Sequence, residues 1–192
     1  MLFLILKLFF RFQVKGREYI PKKGGFILAS NHISYLDPLV LGVACPRQLN
    51  FMAKEDLFKN PLFSWLISRV GSFPVKRESA DISALKEAMQ RLRDGKALLL
   101  FPEGRRSEAD AVTPQPHGGI GFLATKANVA VVPALIKGTE KALPKSSRFI
   151  RPAKISVYFE RQIPIEKGAS YQSIAQSVMT KIRQLSCFEK SS

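Results

Sequence analysis

Two short apolar runs, Phe26–Ser30 and residues 97–101 (Ala-Leu-Leu-Leu-Phe), limit what this chain can fold into. Each is strand-length and uninterrupted, and each follows a glycine: Pro21-Lys22-Lys23-Gly24-Gly25 precedes the first and Gly95 the second. A strand without alternation must be covered on both faces, and in practice that means a parallel sheet between two helical layers. Helical periodicity supplies the covering. Asp81 can cap a helix in which Ile82, Leu85, Met89 and Leu92 recur at helical spacing, with Arg91 and Arg93 in the last turn and Gly95 as its stop. Further strands are predicted over 13–20, 49–53, 73–77, 129–136 and 155–159, and further helices over 39–44, 61–69, 120–127 and 171–185. Strands alternating with helices predict a single-domain α/β sandwich with a mostly parallel central sheet.

The chain has 192 residues, the size of one domain with one core. Thirty Lys and Arg against fifteen Asp and Glu leave a formal charge of +15, which calls for an anionic partner: nucleic acid, a phospholipid surface or a phosphorylated substrate. Cys45 and Cys187 form neither a CxxC pair nor a zinc-like cluster, as expected of a reducing, intracellular setting. Residues 1–12 are almost wholly apolar, broken by Lys7 and Arg11. The stretch is too short and too interrupted to span a bilayer, which takes roughly 20 apolar residues. It suits an amphipathic helix anchored in a membrane interface, with a first helix packed on the core as the alternative. The expected division is an interfacial anchor over 1–13 and the main domain over 14–192.

The chemistry follows the two apolar runs. The first delivers Asn31-His32-Ile33-Ser34-Tyr35-Leu36-Asp37-Pro38, the second Pro102-Glu103-Gly104-Arg105-Arg106-Ser107. On a regular helix His32 and Asp37 would lie about 140° apart, so they meet only if 32–36 is a turn before a helix starting at Asp37-Pro38. Asp37 would then orient the imidazole and leave its other nitrogen to take a proton, or would only cap the helix. No GxSxG elbow is present, which disfavours a serine acyl-enzyme and makes a substrate hydroxyl the natural nucleophile; Ser34 is better suited to forming the turn. Glu103, Arg105 and Arg106 leave a buried strand where α/β folds gather ligands, and Lys76 and Arg77 could join them. Arginine there can grip phosphate through paired hydrogen bonds; a solvated basic loop is the alternative. Gly119-Ile120-Gly121-Phe122-Leu123-Ala124 matches a dinucleotide fingerprint in letters but follows a proline loop instead of a strand, and His117 suits a surface position better than a metal ligand.

Four blocks in order resemble the glycerolipid acyltransferase family that includes the 1-acyl-sn-glycerol-3-phosphate (lysophosphatidic acid) acyltransferases. They are Asn31-His32 with Ser34 and Asp37; Gly71 with Phe73 and Arg77; Phe101-Pro102-Glu103-Gly104 with Arg106-Ser107; and Val132-Pro133-Ala134. The resemblance implies His32 as general base with Asp37 as its partner, and an acceptor pocket lined by Arg77, Glu103, Gly104 and Arg106, with Arg106 toward the phosphate; Lys76 and Arg105 are candidates for the same pocket from their own positions and charge. It implies transfer of a fatty acyl group from acyl-CoA or acyl carrier protein to a lysophospholipid hydroxyl, no resident cofactor or metal, and no nucleic-acid partner. It also implies a peripheral or monotopic location on the cytoplasmic face of a membrane, the bacterial inner membrane. Arg105 stands where the family commonly has threonine, and Pro116-His117-Gly118-Gly119 where a lysine-containing segment is often seen. Both departures bear on the acceptor, so glycerol-3-phosphate or another lysolipid stays open as acceptor. From a different class, so does a non-enzymatic basic binder of membranes or nucleic acid.

Overall fold

The computed structural model describes residues 7, 9–69, 71–75, 81–104, 116, 118–144, 147, 149–166 and 168–188. Seven strands form one sheet: β1 (Gln13–Lys15), β2 (Phe26–Ser30), β3 (Leu49–Lys54), β4 (Ser72–Val75), β5 (Ala97–Leu100), β6 (Ala130–Lys137) and β7 (Ser156–Phe159), in the order β1-β7-β6-β2-β5-β3-β4. Strands β2 to β6 are parallel; β7 runs antiparallel to β6, and β1 parallel to β7. The helices are α1 (Asp37–Ala44), α2 (Pro61–Arg69), α3 (Ile82–Arg93), α4 (Gly119–Ala127), α5 (Thr139–Ala142) and α6 (Tyr171–Phe188).

The apolar runs sit at the centre of the sheet. Every residue of β2 is buried, and its side chains divide by parity. Phe26 and Leu28 join a core with Val40, Leu41 and Ala44 of α1, whereas Ile27 and Ala29 join one with Ala88, Leu92, Leu123 and Ile182 of α3, α4 and α6. Two cores on two faces explain why the run has no polar break. The same arrangement makes β2 the place where the chain reverses its direction of travel across the sheet. The chain moves from β2 to β3 and β4 on one side, then returns through β5 to β6 on the other. Ligands in open α/β sheets bind outside the carboxyl ends of the strands at that point.

Several expectations shift by local causes. The strand foreseen over 13–20 stops at Lys15, and Arg17–Tyr19 turn instead; the Arg17 Nε donates to the Ala44 carbonyl at 2.9 Å, tying the segment to the end of α1. Helix α3 keeps its predicted cap, since the Asp81 side chain accepts from the Ala84 N–H at 3.0 Å. Its buried stripe is Ala84, Ala88 and Leu92, however, and Ile82 is exposed. Small residues let the helix approach the sheet closely, so alanines face inward and the larger side chains flank them. Phe10 and Phe12 belong to the core, and the Phe10 carbonyl accepts from Ile155 N–H at 2.9 Å. That part of the N-terminal stretch packs on the domain, whereas Phe9 faces outward; residues 1–6 and 8 lie outside the described residues. Among the described residues no helix is long and apolar enough to cross a membrane.

Candidate active site

The site is built at the carboxyl ends of β2, β5 and β6. Past Ser30 the strand has no further rung of its own, and Asn31 supplies one with its side chain. Its carboxamide donates to the Ile136 carbonyl at 2.9 Å and accepts from the Ile136 N–H at 2.8 Å. His32 therefore leaves the sheet from an anchored residue. Its ring stacks on Phe101 at the end of β5, centroids 4.0 Å apart and planes 17° from parallel.

Residues 32–36 form the turn that the spacing required. The His32 Nδ1 lies 2.9 Å from Asp37 Oδ2. The same oxygen accepts the N–H groups of Ile33 at 2.6 Å and Ser34 at 2.8 Å, and Oδ1 accepts the Thr139 hydroxyl at 2.6 Å. The expectation of Asp37 as the helix cap is thereby corrected. Leu36 stands at the cap position, and the carboxylate folds back on the turn before the helix. Ser34 has the turn-forming role expected of it: its Oγ accepts from Leu36 N–H at 3.3 Å and donates to the Leu143 carbonyl at 3.2 Å. Asp37 is fully buried and engaged on both oxygens, which holds the ring in one orientation and directs Nε2 away from the acid.

Glu103 was expected among the residues lining the acceptor pocket. It is buried, 2% exposed, and its carboxylate accepts the His32 backbone N–H. Burial pushes its carboxyl up to about 7, with the nearby Asp37 adding to the rise; the His32 hydrogen bond and the Arg183 charge act the other way. The preceding turn is closed by the Gly104 N–H, which donates to the Phe101 carbonyl at 3.0 Å, and Gly104 itself sits at φ 67° on the surface. That backbone suits glycine and little else. Lys76, Arg77, Arg105, Arg106 and His117 lie outside the described residues.

The residue that sequence reasoning missed is Thr139, fully buried and hydrogen-bonded to Asp37 from 102 positions away. Its one signal was Gly138-Thr139 directly after the apolar run of β6. Beside it, a cleft of about 560 Å³ opens between the end of β6 and the start of β7, lined by Lys137, Lys141 and Lys154 with Glu140. The second of the dinucleotide-like glycines has a packing explanation: a Cβ on Gly121 would stand 2.2 Å from the Tyr171 carbonyl oxygen, so glycine there lets α4 and α6 touch, whereas a Cβ on Gly119 would meet nothing within 4 Å. Among the described residues no group of three or more His, Cys, Asp or Glu is placed to hold a metal.

A family model described as "Acyltransferase" matches residues 11–137. The 1-acyl-sn-glycerol-3-phosphate acyltransferase of Bacillus subtilis is 32% identical over 127 residues, covering 66% of this chain and 62% of its own length. Its counterpart in Streptococcus pneumoniae is 31% identical over 88% of this chain and 63% of its own length. The lyso-ornithine lipid O-acyltransferase of Pseudomonas aeruginosa is 26% identical over 87% of this chain and 64% of its own length. The chain thus spans somewhat under two thirds of the length of these relatives. Among solved structures, the 1-acyl-sn-glycerophosphate (LPA) acyltransferase PlsC of Thermotoga maritima superposes with a TM-score of 0.80, at 28% identity, over 94% of this chain and 73% of that one.

Proposed function

The chain belongs to the acyltransferase family, and from that premise we propose that it transfers a fatty acyl group from an acyl thioester to the free hydroxyl of lysophosphatidic acid or a related lysophospholipid. The observation that carries the proposal is the His32–Asp37 pair at 2.9 Å, with the acid held by three further donors and the ring braced on Phe101. That arrangement is the base-and-orienter half of a hydrolytic triad, without a protein nucleophile.

The acceptor hydroxyl gives its proton to Nε2 of His32 as its oxygen attacks the thioester carbonyl. A C–O bond forms, and the tetrahedral oxyanion then collapses and breaks the C–S bond. The departing thiolate recovers the proton from the imidazolium, so the enzyme ends as it began. Asp37 stabilises the transient imidazolium from the Nδ1 side. Arg77, Arg105 and Arg106, with Lys76, would hold the acceptor phosphate, and the Lys137–Lys141–Lys154 cleft suits the phosphates of the donor carrier, acyl-CoA or acyl carrier protein. The net charge of +15 and the apolar residues preceding Phe10 support peripheral attachment to the cytoplasmic face of an anionic membrane such as a bacterial inner membrane.

A second acceptor is favoured by one observation, the similarity to a lyso-ornithine lipid acyltransferase, whose substrate name contains no phosphate. The deciding experiment measures thiol release from long-chain acyl-CoA and from acyl carrier protein on liposomes. Lysophosphatidic acid, lyso-ornithine lipid and glycerol-3-phosphate serve as acceptors, for wild type and His32→Ala. Acceptor-dependent release that falls ~10²–10⁴-fold in the variant is the expected result. Full turnover by a folded His32→Ala protein would overturn the role of the base. Silence with every donor and acceptor would favour a non-enzymatic basic binder.

A further inference from the structure

Side chains tie the turn that carries His32 to one stretch of chain, residues 136–143, which runs from the end of β6 through α5. Asn31 takes both backbone groups of Ile136, Asp37 accepts the Thr139 hydroxyl at 2.6 Å, and the Ser34 hydroxyl donates to the Leu143 carbonyl at 3.2 Å. Two of these ties fall at α5, one at its first residue and one just past its last. Only the Thr139 tie reaches the acid itself.

The single turn of α5 is fixed from elsewhere in the fold. Gly138 precedes it at φ 87°, where a Cβ would stand 1.9 Å from the Lys154 carbonyl oxygen, so glycine lets the chain entering β7 lie against its start. At its other end the Arg151 N–H donates to the Ala142 carbonyl at 2.8 Å. Thr139 thus offers its hydroxyl from a backbone anchored independently of Asp37.

The acid needs such a donor. Three N–H groups converge on Oδ2, from the His32 ring and from the backbone of Ile33 and Ser34. Contacts to one oxygen locate that atom but leave the carboxylate plane free to swing about it. The hydroxyl on Oδ1 is the contact that sets the plane. Asp37 is 0% exposed, so solvent does not replace a donor lost there. The plane matters because a neutral imidazole carries one proton: held on Nδ1 by a well-aligned carboxylate, it leaves Nε2 bare, whereas on Nε2 it blocks the base.

We propose that Thr139 is a positioning residue that acts only through Asp37, fixing the carboxylate plane that keeps the His32 proton on Nδ1 and Nε2 free to accept one. Its effect on rate rests on the acyl transfer proposed above; its effect on the ring does not.

The test compares wild type with Thr139→Val, which keeps the shape and loses the hydroxyl, and Thr139→Ser, which keeps the hydroxyl. Two-bond proton–nitrogen correlation spectra of the intact, isotope-labelled protein show which ring nitrogen holds the proton. The chain has two histidines, and His32→Ala assigns the signals. Wild type and Thr139→Ser should show His32 protonated on Nδ1, and Thr139→Val a mixture of both forms. In steady-state assays kcat of Thr139→Val should fall ~10–10²-fold, the size of one hydrogen bond to a charged group, with KM for donor and acceptor within about twofold. Thr139→Ser should recover kcat to within about threefold of wild type. Circular dichroism checks folding, and if Thr139→Val does not fold, Thr139→Cys replaces it, its weaker thiol donor giving a loss between those of Ser and Val.

A folded Thr139→Val protein with the wild-type ring pattern overturns the proposal, as does a Thr139→Ser protein as slow as Thr139→Val, since shape would then matter and not the hydroxyl. A raised KM at unchanged kcat also overturns it and moves Thr139 to substrate binding. Wild type that is silent with every donor and acceptor overturns the acyl transfer instead, and the ring spectra, which need no substrate, then decide Thr139 alone.

Discussion

The two ends of the sheet use their polar groups in opposite ways. At the amino ends of the strands, cations are consumed by structure. Arg47 donates to the carbonyls of Pro21, Gly24 and Gly95 at 3.0, 2.7 and 2.6 Å and lies over the Phe26 ring. Arg91 reaches Asn50 Oδ1 at 2.5 Å, the Gly71 carbonyl and Glu87, and lies over Phe73. At the carboxyl ends it is buried acids that organise the backbone, and what they organise is a histidine. The number of positive charges therefore says little about where an anion binds. Arg47 and Arg91 each spend three of their five N–H groups on the fold, which leaves them less to offer a ligand.

This contrast breaks most sharply at Asp37. Asp37→Asn keeps the size of the side chain but loses the charge that steadies the imidazolium, so kcat should fall by ~10³–10⁴ while the protein remains folded. Steady-state rates at matched circular dichroism are the check, and a loss under tenfold would remove Asp37 from the chemistry. Arg47→Met at the opposite end should do the reverse. Three carbonyls lose their donor at a cost of about 3 kcal/mol in unfolding free energy, with kcat per folded molecule unchanged; denaturant unfolding combined with kinetics tests this. A change in kcat with no change in stability would mean that the two ends are not separate.

The smallest effect sharpens the comparison. Glu103 titrates at about 7 in the folded chain against an ordinary 4.5, so between these values the folded state keeps a proton that the unfolded chain gives up. Stability should therefore fall as pH rises from about 4.5 to about 7 and level off above that range. Glu103→Gln should remove this slope. Denaturation midpoints across the pH range provide the measurement, and an unaltered slope in the variant would assign it to another group.

The local parts of this design were legible in the sequence. Phe26–Ser30 could only be a strand covered on both faces, and a histidine and an aspartate with four residues between them could meet only across a turn. What crossed the sheet was not legible. Thr139 is as important to Asp37 as its neighbours in sequence, yet nothing in the periodicity of β6 says which strand lies beside it. Nor does a four-residue strand such as β7 reveal its direction. The backbone partner of Glu103 was hidden for a related reason. A carboxylate on a basic loop reads as facing a ligand, and only the tertiary structure turns it inward to a backbone N–H. In α3 the apolar spacing placed Ile82 on the buried face, whereas close approach to the sheet put Ala84 and Ala88 there beside Leu92.

The side-chain rung at Asn31 narrows the choice of residue as far as chemistry allows. It must offer one donor and one acceptor, side by side, at the reach of a single methylene, to the two backbone groups of Ile136. Aspartate has no donor, serine cannot span both groups, and glutamine carries them a carbon too far. Of the twenty-letter alphabet one letter closes the sheet at this point. The placement of the neighbouring imidazole is thus inherited from strand register, and a designer who grafts the histidine onto another parallel sheet would have to carry this asparagine along with it.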